Sequence, residues 1–72
     1  MKLVQCEVGM FRLPGLIVTD EGDRPLGEEK LIDLDIWATS EQGTGKRLTE
    51  KLWSFKNESQ RDWFILRWSG ND

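Results

Sequence analysis

No histidine and no tyrosine occur in these 72 residues, and cysteine occurs once. A chain without imidazole cannot build a Ser-His-Asp or Cys-His nucleophile, lacks the commonest general base and cannot form the His-containing zinc sites. Cys6 alone makes neither an intramolecular disulfide nor a multi-cysteine metal site. It suits a reducing intracellular compartment, where its expected role is that of a small buried hydrophobe. Long apolar runs are missing too. Gln5 and Glu7 interrupt the stretch after Met1 and Lys2 that a signal peptide would keep apolar, and nothing approaches a membrane-spanning length. A complete, cytoplasmic protein with no membrane contact is therefore expected, non-enzymatic and without cofactor or metal.

Aromatic side chains are what the chain has in their place: four Trp and three Phe. Each can bury on the order of 150 to 250 Å², which matters in a chain near the length where one core is barely sufficient. A single domain over residues 1–72 is expected, with Trp63 or Phe64 and at least one of Trp53 and Phe55 in its core.

The net charge of −3 conceals a segregation. Residues 20–41 hold the acids Asp20, Glu21, Asp23, Glu28, Glu29, Asp33, Asp35 and Glu41 against only Arg24 and Lys30. In residues 46–68 the balance reverses, with Lys46, Arg47, Lys51, Lys56, Arg61 and Arg67 facing Glu50, Glu58 and Asp62. Two neighbouring elements with complementary solvated faces would explain this, and so would a charged partner at one pole.

Val4, Cys6, Val8 and Met10 alternate with Leu3, Gln5, Glu7 and Gly9, which marks a strand with one mainly apolar face. Pro14-Gly15 is turn chemistry, so residues 2–12 are expected to pair with Leu16 to Thr19, with Gly9 as a bulge. Residues 20–29 lose periodicity and read as a long exposed acidic loop. Ile32, Leu34, Ile36 and Ala38 then alternate with Asp33, Asp35 and Trp37, the pattern of a strand with an acidic reverse face. Glu41 to Gly45 forms a turn, and Arg47 to Phe55 reads as extended. For the last segment, Asn57 or Ser59 as N-cap, Gln60 or Asp62 as return partner and Gly70 as C-cap favour a helix, although Trp63 to Trp68 also suits a strand. Residues 69–72 form a short polar tail.

Three patterns bear on chemistry. Gly43-Thr44-Gly45-Lys46-Arg47 lacks the two features of a phosphate-binding loop, a glycine where Ser40 stands and a hydroxyl where Arg47 stands, and so reads as a hairpin turn. Asp33 and Asp35 on one strand face would lie within about 7 Å, close enough for a hard cation or an acid and base pair, but alternating acids are routine on a solvated face. The C-terminal third interleaves Lys51, Lys56, Arg61 and Arg67 with Trp53, Phe55, Trp63, Phe64 and Trp68, the composition of single-stranded nucleic-acid binders, while a pI near 4.9 opposes phosphate binding at a distance.

Phe55 to Trp68, a strand end followed by a polar cap and an aromatic helix, resembles the closing strand and helix of pleckstrin-homology domains. The likeness covers 14 of the 72 residues. The basic inositide-binding loop of those domains has no counterpart in the acidic first half of this chain, and no site is carried over.

The fold expected is α+β, a small antiparallel sheet of about four strands with one C-terminal helix; the alternative is a five-stranded, partly open β-barrel. The function expected is protein binding. An inhibitor or regulator would engage a basic or nucleic-acid-handling protein through Asp20, Glu21, Asp23, Glu28, Glu29, Asp33 and Asp35, with Trp37 as the apolar anchor. Size and charge of this kind resemble small virus-encoded regulators of host machinery. The alternative is a single-stranded nucleic-acid binder that uses the basic aromatic third.

Overall fold

The computed structural model describes residues 1–69. Its elements run β1 (Lys2–Val8), β2 (Leu13–Thr19), α1 (Glu28–Ala38), β3 (Lys46–Arg47), β4 (Leu52–Ser54) and α2 (Glu58–Ser69). The strands form one antiparallel sheet in the order β1-β2-β4-β3 that does not close into a barrel. The α+β class and the C-terminal helix are as expected. A second helix, α1, is not.

The chain reverses at residues 9–12 rather than at Pro14-Gly15. Val8 pairs with Leu13, and Gly9 at φ +74° and Arg12 at φ +52° take the left-handed conformation that turns the hairpin, closed by the Arg12 N–H donating to the Gly9 carbonyl at 3.2 Å. Gly9 is thus a turn residue and not a bulge. Pro14 lies within β2, where its carbonyl accepts from the Phe55 N–H at 2.9 Å beyond the end of β4. Gly15 is required by crowding. A Cβ there would stand 2.4 Å from Val8 Cγ2 and 3.1 Å from the Trp53 carbonyl oxygen.

Register decides which face of β1 is inside. Leu16 and Val18 are fully buried and lie opposite Gln5 and Leu3, so Leu3 joins the core while Val4, Cys6 and Val8 fall on the other face of the sheet. The apolar alternation of β1 therefore points away from the helices. Cys6 is half-buried there rather than in the interior.

Residues 32–38 are helix, not strand. Leu31, Leu34, Trp37 and Ala38 recur at three- and four-residue intervals, and Leu34 is fully buried while Ile32 and Ile36 face outward. Glu28 and Glu29, expected in the loop, form the first turn of α1, where carboxylates complement the helix dipole. At its other end the hydroxyls of Thr39 and Ser40 donate to the carbonyls of Asp35 and Trp37 at 2.9 and 2.6 Å. Gly43 then passes so close beneath that a Cβ would meet the Trp37 carbonyl oxygen at 1.7 Å.

The extended segment expected from Arg47 to Phe55 is two short strands. Between them the Thr49 hydroxyl accepts from the backbone N–H of Lys51 and Leu52 at 3.3 and 3.1 Å. Asn57 caps α2 as the sequence suggests, its Oδ1 accepting from the Gln60 N–H at 2.9 Å. Gln60 returns one residue earlier than a standard capping box, its Oε1 accepting from the Lys56 N–H at 3.2 Å. Ser69, expected to open the polar tail, is the last residue of α2, while Gly70, the expected C-cap, and residues 71–72 lie outside the described residues.

Both helices pack on the Leu16, Val18 and Trp53 side of the sheet. Phe64 of α2 sits at the centre, its ring 5.1 Å from that of Trp53, 5.5 Å from Phe55 and 5.7 Å from Trp37. Trp53, Phe55 and Phe64 are buried, as the composition required, whereas Trp63 is half-exposed and donates from Nε1 to the Gln42 carbonyl at 2.7 Å. Phe64→Ala is expected to cost about 3 to 5 kcal/mol in urea unfolding, against about 1 kcal/mol or less for Trp63→Phe. Equal effects of the two substitutions would contradict this packing.

Candidate functional site

The acids expected to form one surface divide between two environments. Asp20 is turned onto its own backbone, where Oδ1 accepts from the N–H groups of Gly22 at 2.8 Å and Arg24 at 3.0 Å. The Arg24 N–H, then the Gly22 N–H, hold its carboxyl below the usual carboxylate range. Glu21 lies 2.9 Å from the amino group of Met1, and Asp23 pairs with Lys2, whose ammonium is held above its ordinary pKa by that hydrogen bond. Asp35 receives a two-pronged contact from Arg47, Nε to Oδ1 at 2.9 Å and Nη2 to Oδ2 at 2.8 Å. That bond raises the Arg47 pKa still further.

Trp37 is no exposed anchor. Its ring meets Phe64 and Trp68 edge-on at 5.7 and 5.9 Å, and it packs against the core. Nor do Asp33 and Asp35 share a face. On a helix that turns about 100° per residue they stand roughly 160° apart, so the paired-carboxylate arrangement does not form. Among the described residues no three His, Cys, Asp or Glu side chains group as metal ligands would.

What α1 does assemble is a stripe on its outer face. Ile32 and Ile36, one helical turn apart, are 50% and 64% exposed and lie between Glu28 on one side and Glu29 and Asp33 on the other. No ion pair engages these three carboxylates among the described residues. Lys30, the cation nearest in sequence, is turned onto the Trp68 ring at 4.9 Å. Beside the stripe, a groove of about 420 Å³ is lined by Leu26, Leu31, Ile32, Glu28, Glu50 and Arg47.

Sequence reasoning assigned Ile32 and Ile36 to an apolar face opposite the acids. The signal that separates them from it was present: Leu31, Leu34 and Ala38 keep helical spacing, and a helix with those three inward turns both isoleucines out. The basic aromatic third is also rearranged. Trp53, Phe55, Phe64 and Trp68 are core residues, and the Arg67 guanidinium covers Trp68 at 4.3 Å, which leaves half-exposed Trp63 as the one ring of that segment with a broad open surface. Burial raises the pKa of the Cys6 thiol, and the Arg61 charge opposes this without reversing it.

The Asp20 turn has a pH signature. Because its folded pKa is lowered, the stabilisation it supplies is fully present above the ordinary aspartate value near 3.9 and is lost as pH falls through the lower folded value. Exchange of the Gly22 and Arg24 amide protons, followed by NMR, should accelerate over that acid window relative to core amides, and Asp20→Ala should abolish their protection at neutral pH. Unchanged exchange in the variant would contradict the turn.

No helix among the described residues is long and apolar enough to cross a membrane. Comparison of the chain with models of protein families, with curated proteins and with solved structures returns no match in any of the three.

Proposed function

We propose that this chain is a non-enzymatic protein-binding module whose outer α1 face engages a basic partner. The observation that carries this reading is the α1 stripe, in which two exposed isoleucines are flanked by three carboxylates with no internal cation. A solvated helix face needs no apolar centre. Apolar contact area inside a ring of like charge suits a surface that alternates basic and apolar groups, for instance an amphipathic basic helix laid across α1.

Charge and apolar burial then act on different steps. The carboxylates draw a basic partner in and set the association rate, while Ile32 and Ile36 bury area and slow dissociation. Carboxylates held on a rigid helix can also stand where phosphates would lie in a nucleic-acid-handling protein, so an inhibitory or regulatory role is part of the proposal. A cytoplasmic setting completes it, since the chain's one cysteine can close no disulfide within it.

The test is capture from nuclease-treated lysate on immobilised protein. Binding should persist after nuclease and weaken with salt. Ile32→Asp with Ile36→Asp should abolish it, and Glu28→Lys with Glu29→Lys and Asp33→Lys should reduce it at least tenfold, about 1.4 kcal/mol, with a flatter salt dependence. All five side chains are exposed, and because Glu28 and Glu29 also complement the dipole of α1, circular dichroism of each variant checks that the helix is retained. Capture unchanged by both sets of substitutions would overturn the reading.

A further inference from the structure

Gly43 to Arg47, expected as a hairpin turn, instead lead from α1 into β3, and Gly43 to Lys46 form one wall of a recess of about 490 Å³. That volume is in the range of small-molecule sites. Phe55, Ala38 and Leu13 supply the apolar part of its lining. The glycine wall is pinned to both helices. Thr44 donates from Oγ1 to the Gln60 carbonyl at 2.8 Å, Trp63 donates from Nε1 to the Gln42 carbonyl at 2.7 Å, and the Gly43 N–H donates to the Ser40 carbonyl at 3.1 Å. Gly45 takes φ +96°, and a Cβ there would meet the Phe55 ring at 2.5 Å, so no side chain stands on the wall beside that ring. A recess held in this way is preformed, and a ligand entering it orders little.

The polar part of the lining is rich in donors. Lys46 and Lys56 both border the recess, and neither joins an ion pair or covers a ring among the described residues. Gln60 already accepts from the Lys56 N–H through Oε1 at 3.2 Å, which leaves its Nε2 amide to donate. The Ser54 hydroxyl has no protein partner among the described residues. No carboxylate lines the recess, although the chain carries a net charge of −3. Lys56 and Gln60 also bracket the start of α2, where the helix dipole adds positive potential. The recess is a positive spot on an acidic protein.

We propose that this recess binds a small phosphate monoester with a planar apolar body. Two ammonium groups match the charge of about −1.5 to −2 that a monoester carries near neutral pH. Lysines act as point charges and suit a phosphate, whereas a carboxylate is better met by the two-pronged arginine fork, and no arginine lines the recess. Ser54 and Gln60 donate to the remaining oxygens, and Phe55, Leu13 and Ala38 give the body an apolar wall. A magnesium triphosphate is a poorer fit. The residue after Lys46 is Arg47, which lacks the hydroxyl that would hold the metal. The recess shares no residue with the acidic stripe of α1, so the two sites are tested separately.

The test is titration of the full chain with naphthyl phosphate, followed by amide NMR at physiological ionic strength. Saturable shifts are expected at Gly43, Thr44, Gly45, Lys46 and Lys56, with a dissociation constant on the order of 0.1 mM. Naphthol, inorganic phosphate and naphthoate should each bind roughly tenfold more weakly, since each lacks the body, the charge or the phosphate geometry. Lys46→Gln with Lys56→Gln should weaken the ester roughly tenfold or more, while Arg12→Gln with Lys51→Gln, an equal change of charge outside the recess, should leave its affinity as it was. All four of these side chains are exposed, so circular dichroism should not change. The proposal is overturned by shifts that scatter without saturating, by undiminished binding to the variant lacking both recess lysines, or by equal affinity for naphthol, inorganic phosphate or naphthoate. It is overturned too if a phosphotyrosyl peptide binds roughly tenfold tighter than the naphthyl ester, which would make the ligand a protein.

Discussion

Phe64 is the ring on which the other elements converge. From α2 it meets Trp53 of β4, Phe55 at the end of that strand and Trp37 of α1, and these contacts tie both helices to the sheet. The buried hydrophobic core of the described residues is small: Leu16, Val18, Leu34, Trp53, Phe55, Phe64 and Trp68. A chain of this length has little aliphatic area to spare, and large rings supply the burial that overcomes the entropy of ordering it. The glycines between α1 and β3 follow from the same packing. Gly43 passes under the carbonyl of Trp37 and Gly45 against the ring of Phe55, positions where any side chain would push the connection off the aromatic centre.

Charge is arranged around that centre rather than through it. Asp35 with Arg47, Asp23 with Lys2 and Glu21 with the amino group of Met1 each link segments distant in sequence. Partly exposed pairs of this kind contribute only about 0 to 1 kcal/mol each. Their larger consequence is selective. By engaging Glu21, Asp23 and Asp35 of the 20–41 segment, and with Asp20 held by its own turn, they leave Glu28, Glu29, Asp33 and Glu41 outside any ion pair among the described residues.

The sheet therefore separates two chemically different surfaces. On the helix side, α1 presents acids around two isoleucines. On the reverse side, the register that places Leu3, Leu16 and Val18 inward turns Val4, Cys6 and Ile17 outward, beside Lys2.

Much of the fold was legible in the chain. Alternation marked β1, the apolar run of β2 followed it, and the Asn57 and Gln60 pair marked the start of α2, because each of these is a local signal. The aromatic core was legible too, since so few large residues were available to fill one. Helix α1 was not: Leu34 and Ala38 satisfy a two-residue and a four-residue repeat alike, and only packing against the core selects the helical one. The hairpin turn was misplaced for a related reason. Pro14-Gly15 has turn chemistry, yet Gly15 is there because Val8 and Cys6 crowd it from the paired strand. The sequence by itself determined the supply of acids, the absence of imidazole and the need for an aromatic core. Which acids stay free, and which apolar residues stay uncovered, was decided by tertiary structure alone, because ion pairs spanning 12 and 21 residues and the pairing of β1 with β2 are contacts that no local pattern records.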